Sequence, residues 1–579
     1  MAFTNQYLID FFKQRMVELY DCNTLDSYSV RTCNSMSMFW ELKEMLGGWI
    51  AGNVKRGETV ALCLEECLKL LERDKWLSYS FFDEKKFKAK LEEYQKEVNS
   101  IKDAKDKKEK DNHEARFMLH LVDSCISTNE TCYLTSLLNS VCTDLLTEKD
   151  YDDNDFIKTI KTLDDKLLLL ATELLRRGYS QSYLYFFFKS IKKNEDGIPF
   201  NEAYNQLTTK LGAVYQYQDD VIIRMNFQND DVPTMESMVD EVPAEYMNVM
   251  RGSLTGIFKK APGRRFYIVT VNAADTNAAL QKARLCLSQA LDRNDMGVVH
   301  ISNRGVVSYI KDGGRTLRPE MYYNVACRRR DEVNQLPVLM NGIDKSVAIS
   351  HEIKDRLNTA LRHLRVGDDQ AEIEQKFLNY WIGLEFLFAT PRSGDSTFAR
   401  LMGKFPQIKT LYYLKRNVYD LDARLKEKGL LDAEKSFGCL SEAEMNEIFD
   451  TTDDILLKYR IKTMKSHLHS RENVGNYLKA HIRNLEWHLS RIYHLRNELV
   501  HEAAIKQSIE SVTTNLRSYL VFMLNLLLDY CKLQLQTPQA NPVAMDNFFW
   551  HCELLWKKCT PEYQKEAFLA LEVPEKLVR

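Results

Sequence analysis

"YHLRNELVHEAA" (residues 493–504) lies in a stretch whose apolar residues Ile482, Leu485, Leu489, Ile492, Leu499 and Ala503 recur at the three-and-four spacing of an amphipathic helix. Arg496 falls inside that stripe, where such a helix ordinarily carries a leucine. At about 100° per residue, Asn497 and His501 are about 40° apart on the flank of the same helix, so Arg, Asn and His can border one cleft. A guanidinium on an apolar face is costly unless something there needs it.

Outward from this stretch, the chain after Ile349 reads as successive helices joined by short polar segments. They run through "EIKDRLNTALRHLRV", "DDQAEIEQKFLNYWIGLEFLFAT", "STFARLMGKFPQIKTLYYL", "SEAEMNEIFDTTDDILLKYRI", the helix with the opening stretch, and "IESVTTNLRSYLVFMLNLLLDYCKLQL". That is the pattern of a helical bundle over 346–536. "TPQANP" at 537–542 is a Pro-containing joint, and 537–579 reads as a helical tail packing back through Phe548, Phe549, Trp550 and Trp556.

Upstream, residues 1–235 also read as helical. In "LDDKLLLLATELLRRGYSQSYLYFFFKSI", Gly178 is placed to end one helix and Ser180 to start the next. The charged run from Asp83 to Phe117 reads as an exposed helix followed by a loop around 102–113. Residues 236–345 change character: "RRFYIVTVNA" is β-rich, "DTNAALQKARLCLSQALDR" is a helix started by Asp275 or Thr276, and "MGVVHISNRGVVSYI" resembles short strands paired around a turn. This is a small α/β module. Arg264, Arg265, Arg328, Arg329 and Arg330 cluster there as candidate RNA contacts, the plainer alternative being a solvated edge. The fold class is mainly α, with one small α/β insertion.

At 579 residues the chain exceeds one hydrophobic core and calls for about three or four domains. Twelve prolines and 22 glycines are few for this length, which favours helix. A net charge of −3 excludes coating of nucleic acid by bulk charge, so any nucleic-acid site is local. The 13 cysteines show no C-x2-C pair, and Cys63 and Cys67, four apart, read as two small buried residues rather than metal ligands. No cofactor motif is present. The start does not read as a signal peptide, and "YLVFMLNLLLDYC" is too short for a bilayer, so a cytoplasmic protein without membrane contact is expected.

"RNELVH" resembles the R-x4–6-H signature of the HEPN superfamily of helical ribonucleases. "FLNYWIGLEFLFAT" at 377–390, and "LRNELVH" followed by a long apolar helix, resemble its Apea-like branch, as "ELLRRGYSQSYL" upstream resembles segments preceding such domains. The resemblance covers roughly 346–536. It implies a metal-independent endoribonuclease whose two motifs face a shared cleft in a homodimer or higher even oligomer. It also implies a role in prokaryotic antiviral defence or a toxin system, with the N-terminal region sensing an activating ligand or phage-derived trigger.

The chemistry stands on the residues as well. RNA carries its own nucleophile, the 2′-OH, so cleavage needs a proton acceptor and donor and a cation for the crowded phosphate. His501 suits general acid–base work at neutral pH, Arg496 offers a planar fork of donors, and Asn497 can orient phosphate or imidazole. Glu385, the one acidic residue in 378–390, is expected to contact Arg496, and His494, one heptad before His501, to line the cleft or remain surface polar. A dimer seam would explain an arginine on an apolar stripe. The alternatives are a non-catalytic helical interaction or ligand-binding protein, in which Arg496 only pairs with Glu385, and an antitoxin-like or nucleotide-transfer partner.

Overall fold

The opening stripe belongs to a 31-residue helix, Arg471–His501. It is seen in a computed structural model that describes residues 5–21, 33–79, 83–101, 109–147, 153–193, 197–212, 217–227, 235–250, 252–293, 300–310, 313–316, 335–370, 372–389, 396–501, 509–536, 541–561, 563–574 and 577–578. The chain is mainly helical, with one small antiparallel sheet.

Helices from Asn5–Tyr20 through Phe200–Gly212 share one core built on Phe11, Phe12, Phe39, Trp49 and Tyr133. Local chemistry sets their ends. Asn34 and Ser37 form a reciprocal capping box at Ser35–Ala51. Gly178 takes φ +91° between Asp153–Arg176 and Gln181–Lys193, and the Ser180 hydroxyl accepts from Tyr183 N–H, as the sequence predicts. Helices Gly57–Arg73 and Glu84–Asn99 approach so closely that a Cβ on Gly57 would meet the carbonyl oxygens of Val98 and Ile101. Glu84–Asn99 buries Phe87, Leu91, Tyr94 and Val98. The expectation of a merely exposed helix is therefore corrected, because four apolar residues at helical spacing suffice to dock it. Residues 102–108 of the expected loop lie outside the described residues, and 109–113 already belong to the helix Glu109–Asn129.

The sheet runs in the order β2-β3-β1-β4-β5, with β1 Tyr217–Asn226, β2 Met238–Val239, β3 Arg264–Ala273, β4 His300–Ile310 and β5 Gly313–Thr316. Both faces are covered. Val221, Ile223, Met225 and Tyr267 pack against the helix Thr276–Arg293, while Ile222 and Phe266 pack against Val242, Met250 and Phe258. Three expectations change here. The central strand β1 precedes residue 236, so the α/β module starts near 217. The stretch read as paired short strands contains one long strand, β4, whose partners are β1 and β5. Helix Gln335–Lys345 packs Leu336, Leu339, Met340 and Ile343 into the C-terminal core and belongs to the bundle.

Besides Gln335–Lys345, the bundle contains His351–Asp369, Ile373–Phe388, Thr397–Leu411, Tyr413–Glu427, Glu442–Thr451, Ile455–Leu468, Arg471–His501 and Glu510–Gln536. The tail helix Met545–Cys559 returns to it through Phe548 and Phe549, with Trp556 partly buried. Trp550 instead is 60% exposed, correcting its expected role in packing. Asn525 and Val578 exchange two hydrogen bonds of 2.7 Å, fastening the end of the chain to the long helix.

The two helical halves interlock. Ile455 and Leu456 of the bundle sit in the N-terminal core, and Leu456 N–H donates to Gln14. Glu18 accepts from Arg15 at 2.7 Å, Arg424 at 3.0 Å and Arg460 at 2.5 Å. Burial alone would raise this carboxyl, but Arg460 and Arg15 pull it down to about 2.

Candidate functional site

The helix Arg471–His501 begins at Ser470, whose hydroxyl accepts from Asn473 N–H. Val474, Leu478, Leu485, Leu489, Ile492, Leu495 and Leu499 are buried along it, inside this same chain. From Leu485 to Leu499 the stripe on which a dimer seam was expected is thus buried in the core of this chain, and that burial requires no second copy. His488 is fully buried, 2.9 Å from the Tyr519 hydroxyl.

The polar triplet occupies the last turns. Arg496 and Asn497 are both half-buried, and an Arg496 Nη donates to Asn497 Oδ1 at 3.1 Å. His501 is the last residue of the helix, and its side chain lies outside the described residues. Glu385 accepts from Trp381 Nε1 at 2.9 Å and forms no ion pair with Arg496. That corrects the expected contact: Trp381 packs near Tyr493, itself stacked on Phe398 at 3.8 Å, and its indole N–H supplies Glu385 with a neighbour on its own helix. Among the described residues Arg496 has no carboxylate partner.

Two arginines earlier on the same helix behave differently. Arg491 donates to Glu41 at 2.6 Å and to Glu66 at 2.7 Å. Arg483 pairs with Glu65 and with Glu486. Glu41, Glu65 and Glu66 come from the N-terminal half, so this face of the helix is clasped by that half. Sequence reading missed the clasp, since its partners are more than 400 residues apart in the chain. Burial outweighs Arg491 and pushes the Glu41 carboxyl above its ordinary range.

His494 is one turn from Glu498, at 3.5 Å, and both line a cavity of about 210 Å³ with Glu41, Glu66 and Arg491. It is neither surface polar nor beside Arg496, but turned toward the N-terminal half. Cys63 lines the same cavity, and burial, reinforced by Glu41, pushes its thiol up, so it is held as the neutral thiol.

Two of the candidate RNA contacts have local partners. Arg264 donates to the carbonyls of Ile257 and Lys259, and Arg265 pairs with Asp240 at 2.8 Å. Both tie down loops of the α/β module. Arg328, Arg329 and Arg330 lie outside the described residues. No group of three or more His, Cys, Asp and Glu side chains able to hold a metal occurs among the described residues, nor does any helix there have the length and apolarity to cross a membrane.

No family model, curated protein or solved structure matches the chain. What the site can do follows from its side chains. A guanidinium has five N–H donors, and among the described residues the bond to Asn497 uses one of those of Arg496. A planar guanidinium fork matches the oxygens of a phosphate.

Proposed function

We propose that the chain is a metal-independent endoribonuclease of HEPN type, with Arg496, Asn497 and His501 at its site. The observation that carries this reading is the half-buried Arg496, held by Asn497 yet without a carboxylate among the described residues, on the helix that ends at His501. In this reading Arg496 neutralises the non-bridging oxygens as charge builds on the phosphate, Asn497 fixes the guanidinium, and His501 transfers the proton of the 2′-OH or of the leaving 5′-oxygen. The site is completed by a second copy, and the activity serves defence or a toxin system, its trigger read by the N-terminal half.

The test is the purified protein on total RNA with excess chelator. Cleavage should leave 2′,3′-cyclic phosphate and 5′-hydroxyl ends, and a substrate with 2′-deoxy at the cut position should be inert. His501→Ala should abolish cleavage, and Arg496→Lys should lower it at least about tenfold by losing the fork. The particle mass should be twice that of the chain or a higher even multiple. If both variants cleave like the parent, or the ends are 5′-phosphates, the reading fails. A strict monomer would defeat the shared site.

A second reading, a non-catalytic interaction or ligand-binding protein, is favoured by the burial of the apolar stripe within one chain, which removes the sequence argument for a seam.

A further inference from the structure

The helix Gln181–Lys193 has an outward face that the core does not explain. It buries only Leu184 and Phe188 completely, yet "QSYLYFFFKSIKK" carries five aromatic residues, three lysines and no acid. The solvent side of a surface helix is ordinarily polar. Here Phe186 is 64% exposed, and Tyr183, Tyr185 and Phe187 are half-buried. At about 100° per residue, Phe186 projects between Tyr185 and Phe187, so these rings form one arc around the outward side.

The arc is held in place and bordered by cations. Tyr183 and Phe187 stack with centroids 5.8 Å and planes 16° apart, and the ammonium of Lys210, on the helix Phe200–Gly212, lies 5.2 Å from the centre of Phe187. On the other side the ammonium of Lys189 lies 5.1 Å from the centre of Tyr185 and donates to its hydroxyl at 3.2 Å. Tyr185 meets Phe186 edge-on at 5.2 Å. Cations thus sit over the rings on either side of Phe186, and among the described residues none sits over Phe186 itself. Glu202, the one acid of the helix Phe200–Gly212, is about two turns from Lys210. The start of the aromatic helix is pinned by Ser180 on Asp275, and the Tyr179 hydroxyl donates to the Lys210 carbonyl at 3.2 Å, which fixes the two helices against each other.

We infer that this face is a docking surface for single-stranded nucleic acid. An unpaired base stacks on Phe186, and the phosphates on its two sides meet Lys189 and Lys210. A duplex hides its base faces and leaves Phe186 unused. An apolar protein partner would have to strip water from the lysines, which interface cores avoid. A lipid surface calls for a broad apolar face, whereas the one strongly exposed ring here is Phe186. With a net charge of −3 on the whole chain, a local patch of this kind is the form a nucleic-acid surface has to take. The face belongs to the N-terminal half and the Arg496 motif to the bundle, so the inference does not rest on the ribonuclease reading.

The test is fluorescence anisotropy of the full chain with a labelled single-stranded DNA of about 12 nucleotides, which offers bases and phosphates but no 2′-OH to be cut. Binding should saturate, be at least about tenfold tighter than that of the matching duplex, and weaken about tenfold or more from about 50 to about 200 mM salt. Phe186→Ala should weaken it about fivefold or more, and Phe186→Trp should bind like the parent. Lys189→Gln and Lys210→Gln should each flatten the log–log salt dependence by about 0.7. Circular dichroism checks that each variant is folded. The Arg496→Ala/His501→Ala double variant should bind the strand like the parent, so that this surface and the ribonuclease reading fail separately. The inference is overturned if the duplex binds as tightly as the single strand, or if folded Phe186→Ala binds like the parent. It is also overturned if the effect of Phe186→Ala appears only with phosphatidylglycerol vesicles or only in the particle mass, which would make the face a lipid or self-association surface.

Discussion

Replacing Arg491 by methionine removes the cation that joins the motif-bearing helix to the N-terminal half. The guanidinium bonds Glu41 and Glu66 together, and the side chains of Arg491, Glu41 and Glu66 are 14%, 35% and 13% exposed. Removing one partner of a buried ion pair costs about 3–5 kcal/mol, because the remaining charge keeps its desolvation penalty. Glu41 retains a third of its surface, so screening places Arg491→Met near the lower end, about 3 kcal/mol. The sign of the pH dependence is fixed as well. The Glu41 carboxyl already lies above its ordinary range because burial outweighs Arg491. A carboxyl raised in the folded state binds its proton more tightly there, so acidification favours folding at this site. Without Arg491 the Glu41 carboxyl rises further, and the variant's deficit should be largest near pH 7.5 and shrink toward pH 5. Urea unfolding of parent and variant at both pH values measures this, and hydrogen exchange should rise at residues 487–500. Adding Glu41→Gln and Glu66→Gln should restore most of the loss. A deficit below about 1 kcal/mol at pH 7.5, or one that grows on acidification, would refute the reasoning.

Two further perturbations test the joints that hold the units together. Glu18, ordinarily near 4.5 and pulled down to about 2, contributes stability that is complete above about pH 4.5 and is lost as pH falls toward 2. That contribution is on the order of 3 kcal/mol, and Glu18→Gln should flatten the acid limb of an unfolding curve. Asp275 accepts from Ser180 N–H at 2.6 Å and hydroxyl at 2.8 Å, and from Asn277 and Ala278 N–H at 2.9 and 3.0 Å, so it serves two helix starts in two units. Asp275→Ala should therefore cost more than the roughly 1 kcal/mol of one lost cap, read from the urea midpoint.

Periodicity made most of the helices legible, and side-chain chemistry marked their ends, as at Gly178, Ser180 and Asp275. Strand β1 escaped because it is the middle strand with both faces covered. Val221–Ile223 consequently reads as a short continuous apolar run rather than an alternation, a pattern shared with buried helix. Arg496 stood out because a cation interrupted an apolar stripe, whereas Arg491 and Arg483 lie off that stripe and carry no such local signal. Their meaning depends on Glu41, Glu65 and Glu66, to which no local pattern connects them. For the same reason Glu385 was matched to Arg496 by charge alone, when the indole N–H of Trp381, four residues away on its own helix, was the nearer donor.

Ile455 and Leu456 complete the N-terminal core, although the last helix of that half ends at Gly212. During synthesis the ribosome must add roughly 240 further residues before that core can close, which at about 5–20 residues per second takes roughly 12–50 seconds. Over that interval the nascent N-terminal half presents a bare apolar surface where Ile455, Leu456 and Tyr459 later seat. A ribosome stalled or a chain cut before residue 455 yields a half with an open core and an exposed, aggregation-prone apolar surface.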